Sequence, residues 1–357
     1  MWVSHSTGRC DEVPRVLAAA RGGGDRLLAA QIVDQGRIAC ISCATPEVHF
    51  GAEVLIQTLV TSICGSDVRT VFQPAAEPLQ YPCPPGFSGH ESVGLVIEPG
   101  GSSLKPGDLV LAVPGTGYTR AFAEYQAMPS SSLIALPSGA NPFQMVLAQQ
   151  LGTVIFALKH FWPGPGAGFA TVIGAGPGGL LFAQVLKSMG FKRVLISDPV
   201  PARRSRALAL GIDISVDSVE NAAVDATLEA TDGQGADLVV EAVGLKETFA
   251  QAIDAVKADG IIGYFGVPHH GLIRFPLQRL FRKRAWLRGY YGAQWEPGLA
   301  SFRAALGLIS GGGVDVSDFV THRLPISEVM QAFELARERR GNAFKIALTF
   351  RDSVDEA

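Results

Sequence analysis

The segment Thr171-Val-Ile-Gly174-Ala-Gly176-Pro177-Gly178-Gly179-Leu180 decides the fold. It fits the pattern G-x-G-x-x-G. Glycine is common in this chain, with 41 residues, so the meaning comes from the context. An apolar, strand-like run (Ala170–Ile173) precedes the glycines and a helix-like run (Gly178–Met189) follows them. The next strand-like run, Arg193–Ser197, ends at an acidic residue, Asp198. Each part has a mechanical use. Gly174 permits the tight turn, Gly176 lets backbone approach a pyrophosphate, and Gly179 lets helix pack on strand. The helix N-terminus offers free N–H groups to negative phosphate. Asp198 would accept hydrogen bonds from the adenosine ribose and repel a 2′-phosphate, which favours NAD over NADP. Arg203 and Arg204 follow closely and pull the other way. The expected cofactor contacts are therefore Gly174, Gly176, Pro177, Gly178, Gly179, Asp198 and Arg203.

Downstream the alternation continues. Pro201–Leu210 reads as a helix, and Ala236–Glu241 and Gly260–Phe265 read as strands. That rhythm predicts a parallel sheet with crossover helices. Helices are then expected at Gly298–Ile309 and Ser327–Arg337, and a last strand at Lys345–Phe350. Upstream, from about Gln31 to Gly152, short apolar runs such as Ala52–Val60, Ser92–Ile97 and Asp108–Val113 lie between Gly and Pro. This half reads as a β-rich barrel or sandwich. With 357 residues, two domains are expected.

Hydrophobic residues make up 47% of the chain, charged residues 18%, and the formal net charge is −3. The composition is globular, and the basic excess of a nucleic-acid binder is missing. The stretch Met1–Asp11 is polar and does not read as a signal peptide, and the longest apolar run is broken by the glycine loop. Neither nucleic acid nor a membrane is expected as a partner. Five cysteines do not form a disulfide framework in a chain of this size, and a cytoplasmic location is expected. Trp162, Trp286 and Trp295 read as packing residues.

Two motifs in the β-rich half carry metal chemistry: Ile63-Cys64-Gly65-Ser66-Asp67 and Gly89-His90-Glu91. Thiolate, imidazole and carboxylate are ligand types that zinc accepts, and three protein ligands plus water mark a catalytic site. A hydroxyl at Ser66 could relay a proton, and Asp67 could orient a ligand from behind. Taken singly, a cysteine after an apolar run is more often a buried thiol and a His-Glu pair more often a loop. Spacing alone leaves metal binding open.

Taken in order, Cys64-Gly-Ser-Asp, Gly89-His-Glu, Pro106-Gly-Asp-x-Val110 and the glycine loop resemble the zinc-containing medium-chain dehydrogenases. The pattern is similar to that of the sorbitol, threonine and related polyol dehydrogenases. The closing segment Thr321–Phe333, followed by Gly341-x-x-x-Lys345, agrees. The resemblance implies an α/β protein with a GroES-like, β-rich catalytic domain over 1–152 and a doubly wound Rossmann sheet over 153–291. A return over 292–357 would complete the catalytic domain. It implies Cys64, His90 and Glu91 as zinc ligands, Asp198 on the ribose and Lys345 at the cofactor. It also implies a homo-oligomer, dimer or tetramer, with a small alcohol or ketone as substrate.

Three departures from the family pattern matter. The lobe of four closely spaced cysteines that holds a structural zinc has no counterpart, because Leu111–Gly168 contains no cysteine. One zinc, the catalytic one, is therefore expected. Cys40 and Cys43 form a C-x-x-C with no second pair, and strand or turn residues are the plainer reading. The acidic residue expected near the metal is Gln149, an amide that could hydrogen-bond metal-bound water. The relay histidine of some members is Arg69, which leaves Ser66 and the ribose to move the proton. The function expected is a zinc-dependent transfer of hydride between NAD(H) and a secondary alcohol or polyol. A zinc-free quinone or enoyl reductase of the same superfamily and a non-catalytic dinucleotide-binding protein are the alternatives.

Overall fold

The computed structural model describes residues 27–350 apart from 50–52, 74–77, 116, 167, 269–271 and 273. The expectation for Met1–Asp11 lies outside these residues. The chain divides into two units. One holds the residues up to Gln149 and those from Val320 onward, and the other spans Gln150–Phe319.

In the first unit, strands β1 (Leu27–Asp34) and β2 (Arg37–Cys43) form an antiparallel hairpin. A larger sheet is built on β3 (Glu53–Ser62), β4 (Ser92–Glu98), β5 (Leu109–Ala112), β6 (Tyr125–Pro129) and β7 (Leu133–Ala135). Near its end the chain adds β14 (Val320–Pro325) and β15 (Lys345–Thr349), giving the order β14-β15-β3-β4-β5-β7 with β6 also on β3. β3 is buried along almost its whole length on both faces, although half of its ten residues are polar. Its polar residues are satisfied: Thr58 and Thr61 donate to the carbonyls of Ala123 (2.7 Å) and Glu91 (2.9 Å). The core beneath β1 and β2 contains Phe122 edge-on to Phe333, with ring centroids 5.5 Å apart.

In the second unit, β8 (Phe169–Ile173), β9 (Arg193–Ser197), β10 (Ile214–Val216), β11 (Ala236–Glu241), β12 (Val256–Tyr264) and β13 (Trp286–Gly289) form a six-stranded sheet ordered β10-β9-β8-β11-β12-β13. Every pairing is parallel. This is the doubly wound order, with its switch point between β8 and β11. The chain remains in this unit past residue 292 and leaves it at Val320, later than the sequence suggested. Two contacts explain the difference. Phe302 packs where a side chain on Gly152 would stand, and the Gln184 amide exchanges hydrogen bonds with both backbone groups of Asp315 (3.0 and 2.8 Å). Trp286 and Trp295, expected to pack, are 62% and 60% exposed. Among the described residues no helix is long and apolar enough to cross a membrane.

Candidate active site

The metal motifs meet because three strand ends meet. β3 runs antiparallel to β4, with Thr61 opposite Ser92, and antiparallel to β15, with Ser62 opposite Ala347. Cys64 follows the end of β3, His90 and Glu91 precede β4, and Lys345 begins β15. Residues far apart in sequence thus share one corner. Cys64, His90 and Glu91 each place a donor atom within 4.8 Å of the others, and among the described residues theirs is the one such trio.

Each ligand candidate is held from behind. Cys64 caps helix α1 (Gly65–Phe72), and its backbone N–H donates to Asp67 Oδ2 at 2.9 Å. Asp67 is 1% exposed, and its Oδ1 accepts from Ser88 Oγ at 2.7 Å and lies 3.4 Å from His90 Nδ1. His90 Nδ1 also lies 3.2 Å from the Ser88 carbonyl. Acceptors on this side fix the proton on Nδ1 and leave Nε2 for a metal. Burial disfavours the imidazolium of His90, but Asp67 and then Cys64 outweigh it and hold the group well above its ordinary range. Gly89 has no alternative here. A Cβ on it would stand 2.7 Å from the backbone nitrogen of Phe122.

Glu91 is 1% exposed. Its Oε2 accepts from Ser62 Oγ and from Lys345 Nζ, the latter at 2.5 Å. Its Oε1 is buried without a partner. An orphaned buried carboxylate oxygen beside a cysteine and an oriented histidine fits a zinc ion, which would satisfy it. Lys345 is itself 2% exposed. Burial would lower its pKa, but Glu91, Cys64 and Asp67 raise it overall. Lys345, expected at the cofactor, pairs its ammonium with Glu91 beside the ligand trio. Ser66 is half-buried on the first turn of α1, and Gln149 is 7% exposed. Cys40 and Cys43, three apart on β2, point to opposite faces of the strand.

The dinucleotide loop lies in the second unit. Numbering helices along the chain, α2 is Pro142–Met145, α3 is Leu147–Phe161 and α4 is Pro177–Ser188. β8, wholly buried, delivers Gly174 at φ +99°, a region that favours glycine. A Cβ on Gly179 would stand 1.8 Å from the Gly174 carbonyl oxygen. Above Gly176 the space is open, with Arg203 Nη1 at 3.9 Å as the nearest neighbour of a built Cβ. No side chain caps α4, so its N-terminal N–H groups face that space. Asp198 is 3% exposed and accepts from the backbone N–H groups of Ala175 and Val200, each at 2.9 Å. Arg203 Nη1 stands 3.5 Å from its Oδ2. Arg204 is turned away, donating to the Asp198 carbonyl at 2.8 Å and pairing with Asp217 at 2.9 Å. An uncapped helix, an open glycine turn and a fixed carboxylate fit a dinucleotide. Sequence reasoning missed Glu241, a fully buried acid at the end of β11. Its signal was an acidic residue directly after the apolar run 238–240.

The comparisons agree with both halves. The family model for the alcohol dehydrogenase GroES-like domain matches residues 51–138, and that for zinc-binding dehydrogenases matches residues 177–311. The chain is 29% identical over 315 residues to L-threonine 3-dehydrogenase of Pyrococcus furiosus, covering 80% of this chain and 88% of that one. It is 28% identical over 340 residues to sorbitol dehydrogenase of Halalkalibacterium halodurans, covering 85% and 93%. Among solved structures, an alcohol dehydrogenase from a Thermus species superposes with a TM-score of 0.78 at 28% identity, covering 91% of this chain and all of that one.

Proposed function

The chain belongs to the zinc-type medium-chain alcohol and polyol dehydrogenases, and from that premise we propose that it interconverts a secondary alcohol or polyol and the matching ketone with NAD(H), using one zinc ion held by Cys64, His90 and Glu91. The observation that carries the ligand assignment is the orphaned Oε1 of Glu91, a residue that shares a trio within 4.8 Å with Cys64 and His90. The zinc-free reductase reading leaves that buried oxygen without a role. Zinc supplies Lewis-acid activation of the alcohol oxygen, and NAD supplies the hydride acceptor. The chain's own residues set the conditions. Asp67 and Ser88 orient His90. Ser62 and Lys345 occupy Glu91 Oε2, which leaves one oxygen of that carboxylate for the metal and offsets one negative charge. Ser66 and Gln149 are assigned to proton relay and to a hydrogen bond with metal-bound water.

Elemental analysis should give about one zinc per chain, since the second cysteine set is missing. Cys64→Ser or His90→Ala should lose both zinc and turnover while NAD still binds. Ser66→Ala and Gln149→Ala should lower kcat with zinc content unchanged. Two tightly held zinc ions per chain, or full turnover in the Cys64 variant, would overturn the assignment.

NAD is preferred over NADP in this reading, because a 2′-phosphate would meet the Asp198 carboxylate. Arg203, already beside that carboxylate, becomes available when Asp198 is removed. Asp198→Ala should therefore narrow the ratio of kcat/KM for the two cofactors. Equal kinetics with NADP in the unmodified protein would refute the preference. A cytoplasmic location goes with a cysteine ligand that must stay reduced. Localising a tagged full chain to an oxidising compartment would refute it.

A further inference from the structure

Glu241 closes β11, where the chain turns toward the helix Lys246–Ala255, and its side chain is fully buried. Its Oε1 accepts from the N–H groups of Val243 and Gly244, each at 2.9 Å, and from the Thr248 hydroxyl at 2.8 Å. Its Oε2 receives a longer bond, 3.1 Å, from the same Gly244 N–H. Burial raises the pKa of this carboxyl, the Gly244, Thr248 and Val243 donors oppose that rise, and every one of these donors is neutral. A buried charge without a cation is costly to keep, so its retention asks for a use.

The surroundings locate that use. Glu241 lies opposite Ile173 of β8 in the sheet, and the Ala242 N–H donates to the Ile173 carbonyl at 3.0 Å. A Cβ on Gly174 would touch Val243 at 2.6 Å, so the phosphate loop leans on the turn that Glu241 holds. The Glu241 carbonyl accepts from Phe265 and Gly266, each at 2.9 Å, which ties in the turn after β12. In this sheet the dinucleotide crosses the switch point between β8 and β11. Asp198 takes the adenosine end to the β9 side, so the nicotinamide end extends over the ends of β11 and β12. Glu241 ends β11, on that half of the sheet.

We propose that the buried carboxylate of Glu241 biases the cofactor site toward the oxidised dinucleotide, whose nicotinamide ring carries a positive charge that the reduced ring lacks. The inference rests on the NAD reading given above. In a low-dielectric interior a fixed negative charge acts over several ångströms with little screening. It lowers the free energy of the cationic ring and leaves the neutral ring nearly unaffected. The polar turn is a separate matter. An amide in place of the carboxylate can still accept at Oε1 but sets an N–H donor against the Gly244 N–H at the Oε2 position, so the charge-keeping aspartate is the needed control.

The test is equilibrium binding to the zinc-loaded full chain, with NAD⁺ followed by calorimetry and NADH by fluorescence. Glu241→Gln should weaken NAD⁺ about fivefold and change NADH by less than about twofold. Glu241→Asp, which keeps the charge, should retain the preference even where both affinities fall. If the Gln variant does not fold, Thr248→Lys places a cation beside the intact carboxylate and should give the same loss of preference. Equal weakening of both forms would reduce Glu241 to a holder of the turn and overturn the proposal, as would an unchanged ratio in both the Gln and Lys variants. Failure of the unmodified protein to bind either dinucleotide would instead overturn the cofactor reading.

Discussion

Ser62 and Lys345 converge on one oxygen of Glu91 and leave the other bare. Removing the lysine tests that arrangement directly. Lys345→Met leaves a buried carboxylate with a hydroxyl and no cation, a change that costs about 3–5 kcal/mol when a buried pair is broken. Urea unfolding of the chelator-treated protein should show a loss of that order, and added zinc should recover more stability in the variant than in the unmodified chain. A loss below about 1 kcal/mol would mean that the pair does not neutralise Glu91. The pH dependence follows from the direction of the shift. The folded-state pKa of Lys345 lies above the unfolded value, so its contribution is complete below the ordinary lysine range and is lost only as pH rises through the folded value. Neutral pH is inside the stable window.

At the scale of elements, the glycine turn between β8 and α4 separates two roles that the motif runs together. Gly179 has no space for a Cβ, which would sit 1.8 Å from a backbone oxygen. Gly179→Ala should destabilise the second unit by about 3 kcal/mol or more, read by thermal or urea unfolding. Gly176 adopts φ −68°, ψ 178°, which alanine accepts, and faces open space. Gly176→Ala should keep stability within about 1 kcal/mol but weaken NAD binding at least about tenfold, because its methyl group occupies the pyrophosphate's approach. Equal NAD affinity in that variant would mean the pyrophosphate lies elsewhere. The strand–turn–helix around these glycines was legible because the glycine spacing stands between two apolar runs. α3, fifteen residues long, was not, because its apolar residues are spread around the helix and Gly152 and Thr153 interrupt it.

At the scale of the molecule, β13 is an open edge of the parallel sheet. Among the described residues it pairs with β12 alone, and it exposes Trp286 (62%) and Leu287 (43%), with Tyr291 (82%) and Trp295 (60%) just beyond. An unpaired strand edge carrying large apolar side chains is a template for another strand. A second copy paired with it antiparallel across a two-fold axis would cover both edges, residue i of one copy meeting residue j of the other and j meeting i. Sedimentation or light scattering should then report a dimer or a multiple of one. Leu287→Lys, which brings a charge from each copy into the apolar seam, should shift the protein toward monomer with zinc content unchanged. A monomer in the unmodified protein would refute this interface.

The sequence by itself determined the local devices. The glycine turn, the acidic residue after the second strand, and the Cys-Gly-Ser-Asp and Gly-His-Glu motifs are each written within ten or so neighbouring residues. Their chemistry follows from residue type and short spacing. The tertiary structure decided what those devices do together. Only the pairing of β3 with both β4 and β15 brings Lys345 onto Glu91, across more than two hundred residues of chain. Only burial at the sheet's switch point gives Glu241 its neutral cage of donors. Periodicity and propensity report the local chain, whereas the charge balance of a site depends on which distant strand ends the sheet makes neighbours, and no spacing in sequence encodes that.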